Sequence, residues 1–151
     1  MSINELIEPM NMGESEVKDL LRAAGYKVQD VSNNPAYFKR DIDLLATNPS
    51  TGATVSIEVK WDRRIAKTKN FFIEIANIRS NEGKGWFNFC EADFIYYIDA
   101  VNNYLYIFKF KDLEKYINEY AARLEVQSTL DGSYGYLLPV AKAPIFKSIQ
   151  L

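Results

Sequence analysis

The sequence predicts a mixed α/β fold in which a central β-sheet is flanked by α-helices. Apolar residues recur at helical spacing in residues 14–24 and 111–124, and the segments between them are rich in β-branched and aromatic residues or alternate apolar with polar ones. A chain of 151 residues, 48% hydrophobic and 25% charged, fits one globular domain. We therefore expect residues 1–151 to form a single domain with the element order α-β-β-β-β-β-α.

The first half of the chain predicts a helix followed by a β-hairpin. The helix of residues 14–24 ends at Gly25, which is placed to cap it, and residues 26–31 are a candidate for a short strand in addition to the five of this order. Residues 42–47 and 53–61 are β-compatible and are separated by the turn sequence NPSTG. These two strands are expected to pair as a hairpin.

The second half of the chain predicts three strands and a helix. Residues 70–78 are mostly apolar, with Glu74 as the one charged residue, and favour a strand. After a glycine-containing turn at 81–85, two aromatic-rich segments near 93–99 and 104–110 predict a second hairpin. The helix over 111–124 follows. The tail, YLLPVAKAPIF, contains two prolines and is expected to be an edge strand or a covering loop.

The composition excludes several kinds of chemistry. The chain contains no histidine, so catalysis by a Ser-His-Asp or Cys-His set and zinc binding by histidine are ruled out. Its one cysteine, Cys90, cannot form an intramolecular disulfide, which fits a reducing compartment. The acidic N-terminus lacks the pattern of a signal peptide, and no long apolar run is present, so we expect a cytoplasmic protein without membrane contact.

Charge is distributed unevenly along a chain whose net charge is only -2. Acidic residues predominate before Lys60, whereas basic residues predominate between Lys60 and Lys84. An acidic cluster beside a basic loop suits a protein that binds divalent cations and phosphate groups at the same place. The alternative is that the basic segment is a solvated surface loop of an acidic protein-interaction domain.

The first hairpin carries the residues with the clearest chemical potential. Glu58 and Lys60 are two apart on one strand and share a face, as do Asp41 and Asp43 at the other strand. Asp43 faces Glu58 only if the loop has an even length or the pairing is irregular, so we predict such a feature. Closely packed carboxylates favour a hard divalent cation such as Mg²⁺, and the ammonium group of Lys60 can orient a water for phosphodiester hydrolysis.

Two segments resemble the D…(D/E)XK motif of the PD-(D/E)XK nuclease superfamily: Asp43 followed by LLA, and IEVK at 57–60. This superfamily includes restriction endonucleases and Holliday junction resolvases. Glu14 lies eleven residues before the Gly25-Tyr26 pair, as in the resolvase-like branch. A phage and bacterial branch of the superfamily is similar to three further parts of the sequence: the segment KTKNFFIEIANI, the turn GKG and the segment EADFIYYI. The sequence departs from the motif at Ile42, where the superfamily has proline, which leaves Asp41 as a rival to Asp43.

The resemblance implies a restriction-endonuclease-like core and a Mg²⁺- or Mn²⁺-dependent DNA endonuclease, with phage origin suggested by the branch. It implies catalytic roles for Asp43, Glu58, Lys60 and Glu14, and metal binding by Asp43, Glu58, Val59 and Glu14. The basic residues expected to contact DNA phosphates are Arg63, Arg64, Lys67 and Lys69, in a basic loop over 61–69, and Lys84.

Two further residues and two alternative functions stay open at this point. Glu74 lies in an apolar strand, where an unpaired carboxylate is costly, so it is expected to pair with Arg79 or Lys69 or to lie near the metal. Trp86 is expected to contact a DNA base or to close the core. The alternatives are a Holliday junction resolvase, which would act as a homodimer on branched DNA, and an inert DNA-binding module of the same fold.

Overall fold

The first helix is longer than the sequence predicts. In the computed structural model, which describes residues 3–79 and 83–151 with side chains from residue 13 onward, α1 spans Ile3–Ala23 rather than beginning at residue 14. The helix continues through Gly13 because it packs closely on the sheet there: a Cβ at Gly13 would lie 3.2 Å from Cδ1 of Trp61. Its end is as predicted, with Gly25 at φ +92° and the Tyr26 amide donating to the Leu21 carbonyl.

Six strands form the main sheet, in the order β1-β2-β3-β5-β6-β9. Both predicted hairpins are present, and β3 pairs with β5 in parallel while the other neighbours are antiparallel. The mixed central sheet is thereby confirmed. The strands are β1 Lys27–Asp30, β2 Leu44–Thr47, β3 Thr54–Asp62, β5 Phe94–Asp99, β6 Tyr104–Lys109 and β9 Lys147–Gln150.

A second, three-stranded sheet was not predicted. It has the order β4-β8-β7, with β4 at Asn70–Asn77, β7 at Glu125–Ser128 and β8 at Ser133–Pro139. The expectation of an edge strand or loop in the tail is wrong for β8, which is the central strand of this sheet. Gly135 permits the pairing with β4, because a Cβ there would lie 2.5 Å from the Ile73 carbonyl oxygen.

Both faces of the main sheet are covered. On one face, Val17 and Leu21 of α1 pack with Leu44 and Ile57. On the other face, Phe71 of β4 makes edge-to-face contacts with Tyr97, Tyr106 and Phe108 at ring-centroid distances of 5.0 to 5.1 Å. The small sheet therefore fills part of the layer in which helices were expected.

The remaining helices lie mainly on the second face. The predicted helix near 111–124 is confirmed as α5, Phe110–Tyr120, followed by a 3-10 turn at Ala121–Arg123. Three one-turn helices complete the described fold: α2 Pro35–Phe38, α3 Ile65–Thr68 and α4 Trp86–Phe89. The glycine-containing turn predicted at 81–85 lies partly outside the described residues. Among the described helices, none combines the length and apolarity that a membrane crossing requires.

Candidate active site

The chain leaves regular β geometry immediately before β2, at the residues that the sequence singled out. Asp41 has a left-handed backbone conformation with φ +52°. In a regular strand, Ile42 and Leu44 would point to the same face of the sheet, but they are buried in the cores on opposite faces. The alternation of side chains is therefore broken at Asp43. In the strand register Leu44 pairs with Ile57, but the backbone amide of Asp43, one residue earlier, also donates to the Ile57 carbonyl oxygen. This irregularity, together with an even loop of residues 48–53, brings Asp43 beside the Glu58 segment.

A main-chain hydrogen bond fixes the carboxylate of Asp43. Its Oδ2 accepts from the Val59 amide at 2.9 Å. Val59 was predicted as a metal ligand, and its amide contributes here by tying Asp43 to the neighbouring strand. The hydrogen bond thus holds the side chain of Asp43 against β3 at Val59, the residue between Glu58 and Lys60.

Glu58 and Lys60 form an ion pair on the inner face of β3. Glu58 Oε1 lies 2.9 Å from Lys60 Nζ, and the two side chains are 8% and 23% exposed. Burial raises the pKa of Glu58 to about 8, with Asp43 and Asp41 adding repulsion that Lys60 opposes. Burial works to lower the pKa of Lys60, but attraction to Glu58 and Asp41 more than offsets it, so the net shift is upward. The lysine is therefore held in its charged form.

Asp41 also faces this cluster. Burial raises the pKa of Asp41, Lys60 opposes the shift, and Asp43 and Glu74 add to it. Its Oδ2 is a buried oxygen without a hydrogen-bond partner in the described part of the chain. An uncompensated carboxylate oxygen is costly, so Asp41 keeps its place as the rival of Asp43 for a cation.

Helix α1 brings Glu14 to the other side of Asp43. The pKa of Glu14 is raised to about 7, first by burial and then by the charges of Asp43 and Asp30, while Lys18 opposes the shift. Glu14 is thus close enough to Asp43 for the two charges to repel each other. The family resemblance implies such an association, and a metal role for Glu14 stays a prediction.

We expect Glu14→Gln to stabilise the metal-free protein at pH 8 but not at pH 4. Because the folded-state pKa of Glu14 is raised above its unfolded value, the unfolded state releases the proton first, and the free energy of unfolding falls as pH rises from 4.5 to about 7. Glutamine removes that loss. Since Glu14 is partly exposed, solvent screening limits the gain to about 1 kcal/mol, or about 2–4 °C in Tm.

Thermal unfolding in EDTA at both pH values measures this effect. Glu16→Gln, on the same helix, is the matched control and should show no such pH-dependent gain. Equal behaviour of the two variants would contradict the proposed burial of Glu14 beside Asp43.

Glu74 and Trp86 connect the small sheet to the cluster. Glu74 accepts hydrogen bonds from the Trp86 amide and the Ser133 hydroxyl, at 3.3 and 2.9 Å, so the expected pairing with Arg79 or Lys69 is wrong.

Trp86 is 9% exposed and belongs to the core, which was one of the two expectations for this residue. Its ring also faces Lys60, with Nζ 4.9 Å from the ring centroid. Sequence reasoning missed this contact, because Lys60 and Trp86 lie in different elements far apart in the chain.

The basic segment is more ordered than predicted. The expectation of a loop over residues 61–69 is wrong: the strand β3 extends to Asp62, and α3 follows after two residues. Two exposed arginines lie over aromatic rings, Arg63 over Trp61 at 5.1 Å and Arg64 over Phe72 at 5.8 Å. The exposed basic residues that the sequence singled out are Arg63, Arg64, Lys67, Lys69 and Lys84.

A cavity of about 320 Å³ joins the basic segment to the cluster. It is lined by residues from both, among them Lys60, Arg64, Phe72, Glu74 and Trp86. Lys60 therefore lies between the carboxylates on one side and an open, partly basic cavity on the other.

The carboxylates of the described residues do not form a dense ligand cluster. Among the described side chains, no three Asp, Glu or Cys residues converge closely enough to hold one ion. Asp43 and Glu58 use one carboxylate oxygen each in the contacts above, and their second oxygens, Oδ1 and Oε2, have no hydrogen-bond partner among the described residues. Magnesium is commonly bound by one or two carboxylates while it keeps several waters, so two such oxygens suit it.

Cys90 takes no part in this chemistry. It is a buried free thiol, and burial raises its pKa to about 12. A thiol that stays protonated at neutral pH is a poor nucleophile and a poor metal ligand. The sequence-based expectation that Cys90 acts as a small hydrophobic residue agrees with this environment.

The fold is similar to that of a known endonuclease. The solved structure of the bacterial homing endonuclease I-Ssp6803I matches with a TM-score of 0.54 and 16% sequence identity, covering 91% of this chain and 79% of that one. No protein-family model and no curated protein sequence matches the chain. At this level of identity the likeness shows an endonuclease-like fold, and the chemistry must be argued from the site itself.

Proposed function

We propose that the protein is a divalent-metal-dependent DNA endonuclease that hydrolyses phosphodiester bonds. The observation that carries this proposal is the cluster of Asp43, Glu58 and Lys60, in which a hydrogen bond to Val59 fixes one carboxylate and an ion pair of 2.9 Å fixes the other. The similarity of the fold to a homing endonuclease supports it. The proposed substrate, DNA, follows from that class of enzyme together with the basic surface beside the cluster.

Asp43 and Glu58 would hold Mg²⁺ or Mn²⁺ through their second oxygens, with Glu14 contributing through a water and Asp41 as the rival of Asp43. The Val59 carbonyl is the further ligand that the motif implies. A divalent cation bound there would acidify a water and neutralise charge on the phosphate. Burial, followed by repulsion from neighbouring carboxylates, raises the pKa of Glu14 and Glu58, and a bound cation would oppose both effects.

Lys60 would orient the attacking water and stabilise the charge that develops on the phosphate. Its ammonium group remains protonated because carboxylates surround it, and it donates to Glu58 in a partly buried site where electrostatic interactions are stronger than in water. Lysine and carboxylates thus perform the positioning and charge stabilisation that histidine performs in other nucleases. The absence of histidine from the sequence is compatible with this chemistry.

The exposed basic residues beside the cluster would bind the DNA backbone. Arg63, Arg64, Lys67 and Lys69 lie at the end of β3 and around α3, and Lys84 lies before α4. Contacts of lysine and arginine with phosphates position a duplex without reading its sequence. The surface therefore favours a nuclease that selects DNA by its structure or by contacts outside these residues.

We expect Arg63→Gln with Lys67→Gln to weaken DNA binding and to lower its salt dependence. Each lost phosphate contact should reduce the slope of log K against log salt by about 0.9, so the double variant should lose about 1.8. Fluorescence anisotropy with a labelled duplex, at salt concentrations from about 50 to about 200 mM, measures this slope. The matched control is Lys111→Gln with Lys115→Gln, which removes two exposed lysines of α5.

An unchanged slope in the double variant, or equal changes in the two pairs, would contradict binding at the proposed surface. It would then favour the alternative that this segment is only a solvated surface.

Nicking of supercoiled plasmid tests the proposed activity in its simplest form. The protein should nick plasmid in Mg²⁺ or Mn²⁺, stop when EDTA is added, and resume when metal is restored in excess. DNA binding without nicking under all these conditions would favour the inert DNA-binding module. Activity that persists in EDTA would contradict the proposed use of metal.

A further inference from the structure

The aromatic face of Trp86 is the second partner of the Lys60 ammonium group. Nζ of Lys60 lies 2.9 Å from Glu58 Oε1 and 4.9 Å from the centroid of the Trp86 ring. A lysine side chain has four flexible carbons and a point charge, so a single ion pair leaves its direction poorly defined. Attraction to the negative face of an indole ring supplies a second, directional contact.

The ring of Trp86 is itself held by contacts outside the hairpin that carries Lys60. The Trp86 amide donates to Glu74 Oε1 at 3.3 Å, and the other oxygen of Glu74 accepts from the Ser133 hydroxyl at 2.9 Å. Gly85 packs directly on β4, because a Cβ there would lie 2.5 Å from the Glu74 carbonyl carbon and oxygen. The side chain of Asn88 donates to the Ile75 carbonyl oxygen at 2.6 Å. The start of α4 is thereby clamped onto the small sheet.

We propose that Trp86 is a positioning residue for Lys60, and that Glu74 acts through it by anchoring the turn that carries the ring. This inference rests on the proposed function, in which Lys60 orients the attacking water. The contact with a ring has one advantage over a further ion pair: it uses no carboxylate oxygen. The second oxygens of Glu58 and Asp43, and Oδ2 of Asp41, stay available while the ammonium group keeps its direction.

The main test compares Trp86→Phe with Trp86→Leu in metal-dependent cleavage. Phenylalanine keeps an aromatic face, whereas leucine keeps apolar bulk without one, and loss of a cation–π contact should lower kcat by about fivefold to thirtyfold. We expect KM to stay within about twofold, because Trp86 would not contact DNA in the ground state. The phenylalanine variant should retain most of the wild-type kcat. Equal losses in both variants, or a loss confined to KM, would overturn the inference.

A second measurement does not depend on activity. Labelling of lysines in the metal-free protein with an amine-reactive reagent, followed by mass spectrometry, reports how firmly Lys60 is held. In the Trp86→Leu variant the reagent should label Lys60 about five times faster than in the wild type. The labelling rates of the exposed Lys111 and Lys115 should not change. Unchanged labelling of Lys60 would overturn the positioning role even if the wild type cleaves DNA. Faster labelling in a protein that cleaves nothing would uphold the contact and contradict the proposed function.

Fluorinated tryptophan inserted at position 86 covers the case in which the leucine variant does not fold. Fluorine atoms weaken the negative face of the indole while its shape is nearly kept, and Trp61 is left unmodified. Labelling of Lys60 should become faster, and kcat lower, with each added fluorine. A flat series would show that Trp86 acts only as a core residue.

Discussion

Asp43→Asn is expected to lower metal-dependent DNA cleavage by about a hundredfold to a thousandfold without unfolding the protein. The asparagine side-chain oxygen can still accept from the Val59 amide, which Asp43 does at 2.9 Å, so the junction between the hairpin strands is kept. The negative charge that would hold a cation is lost. Single-turnover cleavage at saturating protein and metal measures the rate, and a thermal melt confirms the fold.

Asp112→Asn is the matched control for this substitution, because Asp112 is an exposed aspartate in the first turn of α5. It should cleave at the wild-type rate. If Asp43→Asn also cleaves at that rate while Asp41→Asn is inactive, the metal ligand is Asp41, whose Oδ2 is buried without a partner. If neither aspartate matters, the proposed site is wrong.

Lys60→Met is expected to lower the cleavage rate by about a hundredfold to a thousandfold while metal binding at saturation is retained. Methionine replaces the aliphatic stem of the lysine but leaves no charge to orient water or stabilise the phosphate. It also removes the partner of Glu58, whose pKa is already raised to about 8 by burial, and the pKa should rise further. Metal affinity at neutral pH should therefore fall, so the rate is compared at saturating Mn²⁺.

Lys67→Met provides the control, because Lys67 is an exposed lysine on α3 that does not face the carboxylates. It should weaken DNA binding modestly and leave the rate at saturation unchanged. A Lys60→Met protein that needs more metal but reaches the wild-type rate would show that Lys60 only balances charge. That result would also remove the basis for a positioning role of Trp86.

The two hairpins and the last helix could be predicted because their signals are local. Alternating residues such as Val55, Ile57 and Val59, and a turn between them, specify the strands and their pairing within a few residues. The predicted strand bounds leave a five-residue loop, whereas the loop between Thr47 and Thr54 has six residues and brings the two acidic segments together. The association of Asp43 with Glu58 was therefore expected from the motif and not from the local pattern alone.

The small sheet and its link to the site could not be predicted in this way. The strand β8 pairs with β4 across a large separation in sequence, and only Gly135, which allows close approach to Ile73, hints at a buried pairing. Glu74 is a good example of the consequence. Its partners, Ser133 and the Trp86 amide, come from segments whose positions depend on the tertiary fold, so the sequence pointed instead to nearby cations.

The extent of α1 also depended on tertiary structure. A glycine within a helix is unfavourable in isolation, and the spacing of apolar residues predicted the helix only from residue 14. In the fold Gly13 allows the helix to approach Trp61, and this packing accounts for a glycine inside the helix. Sequence rules that treat glycine as a boundary cannot anticipate such a contact.

Cleavage of labelled linear, nicked and four-way-junction DNA is the measurement that tests the central claim most directly. Wild type and the double variant Asp43→Asn, Lys60→Met are compared in Mg²⁺, Mn²⁺ and EDTA, with light scattering to measure the oligomeric state. We expect the wild type to cut at least one substrate only when metal is present, and the double variant to cut none. Preference for the junction by a dimer would identify a resolvase. Equal cleavage by both proteins, or cleavage in EDTA, would contradict the proposed site.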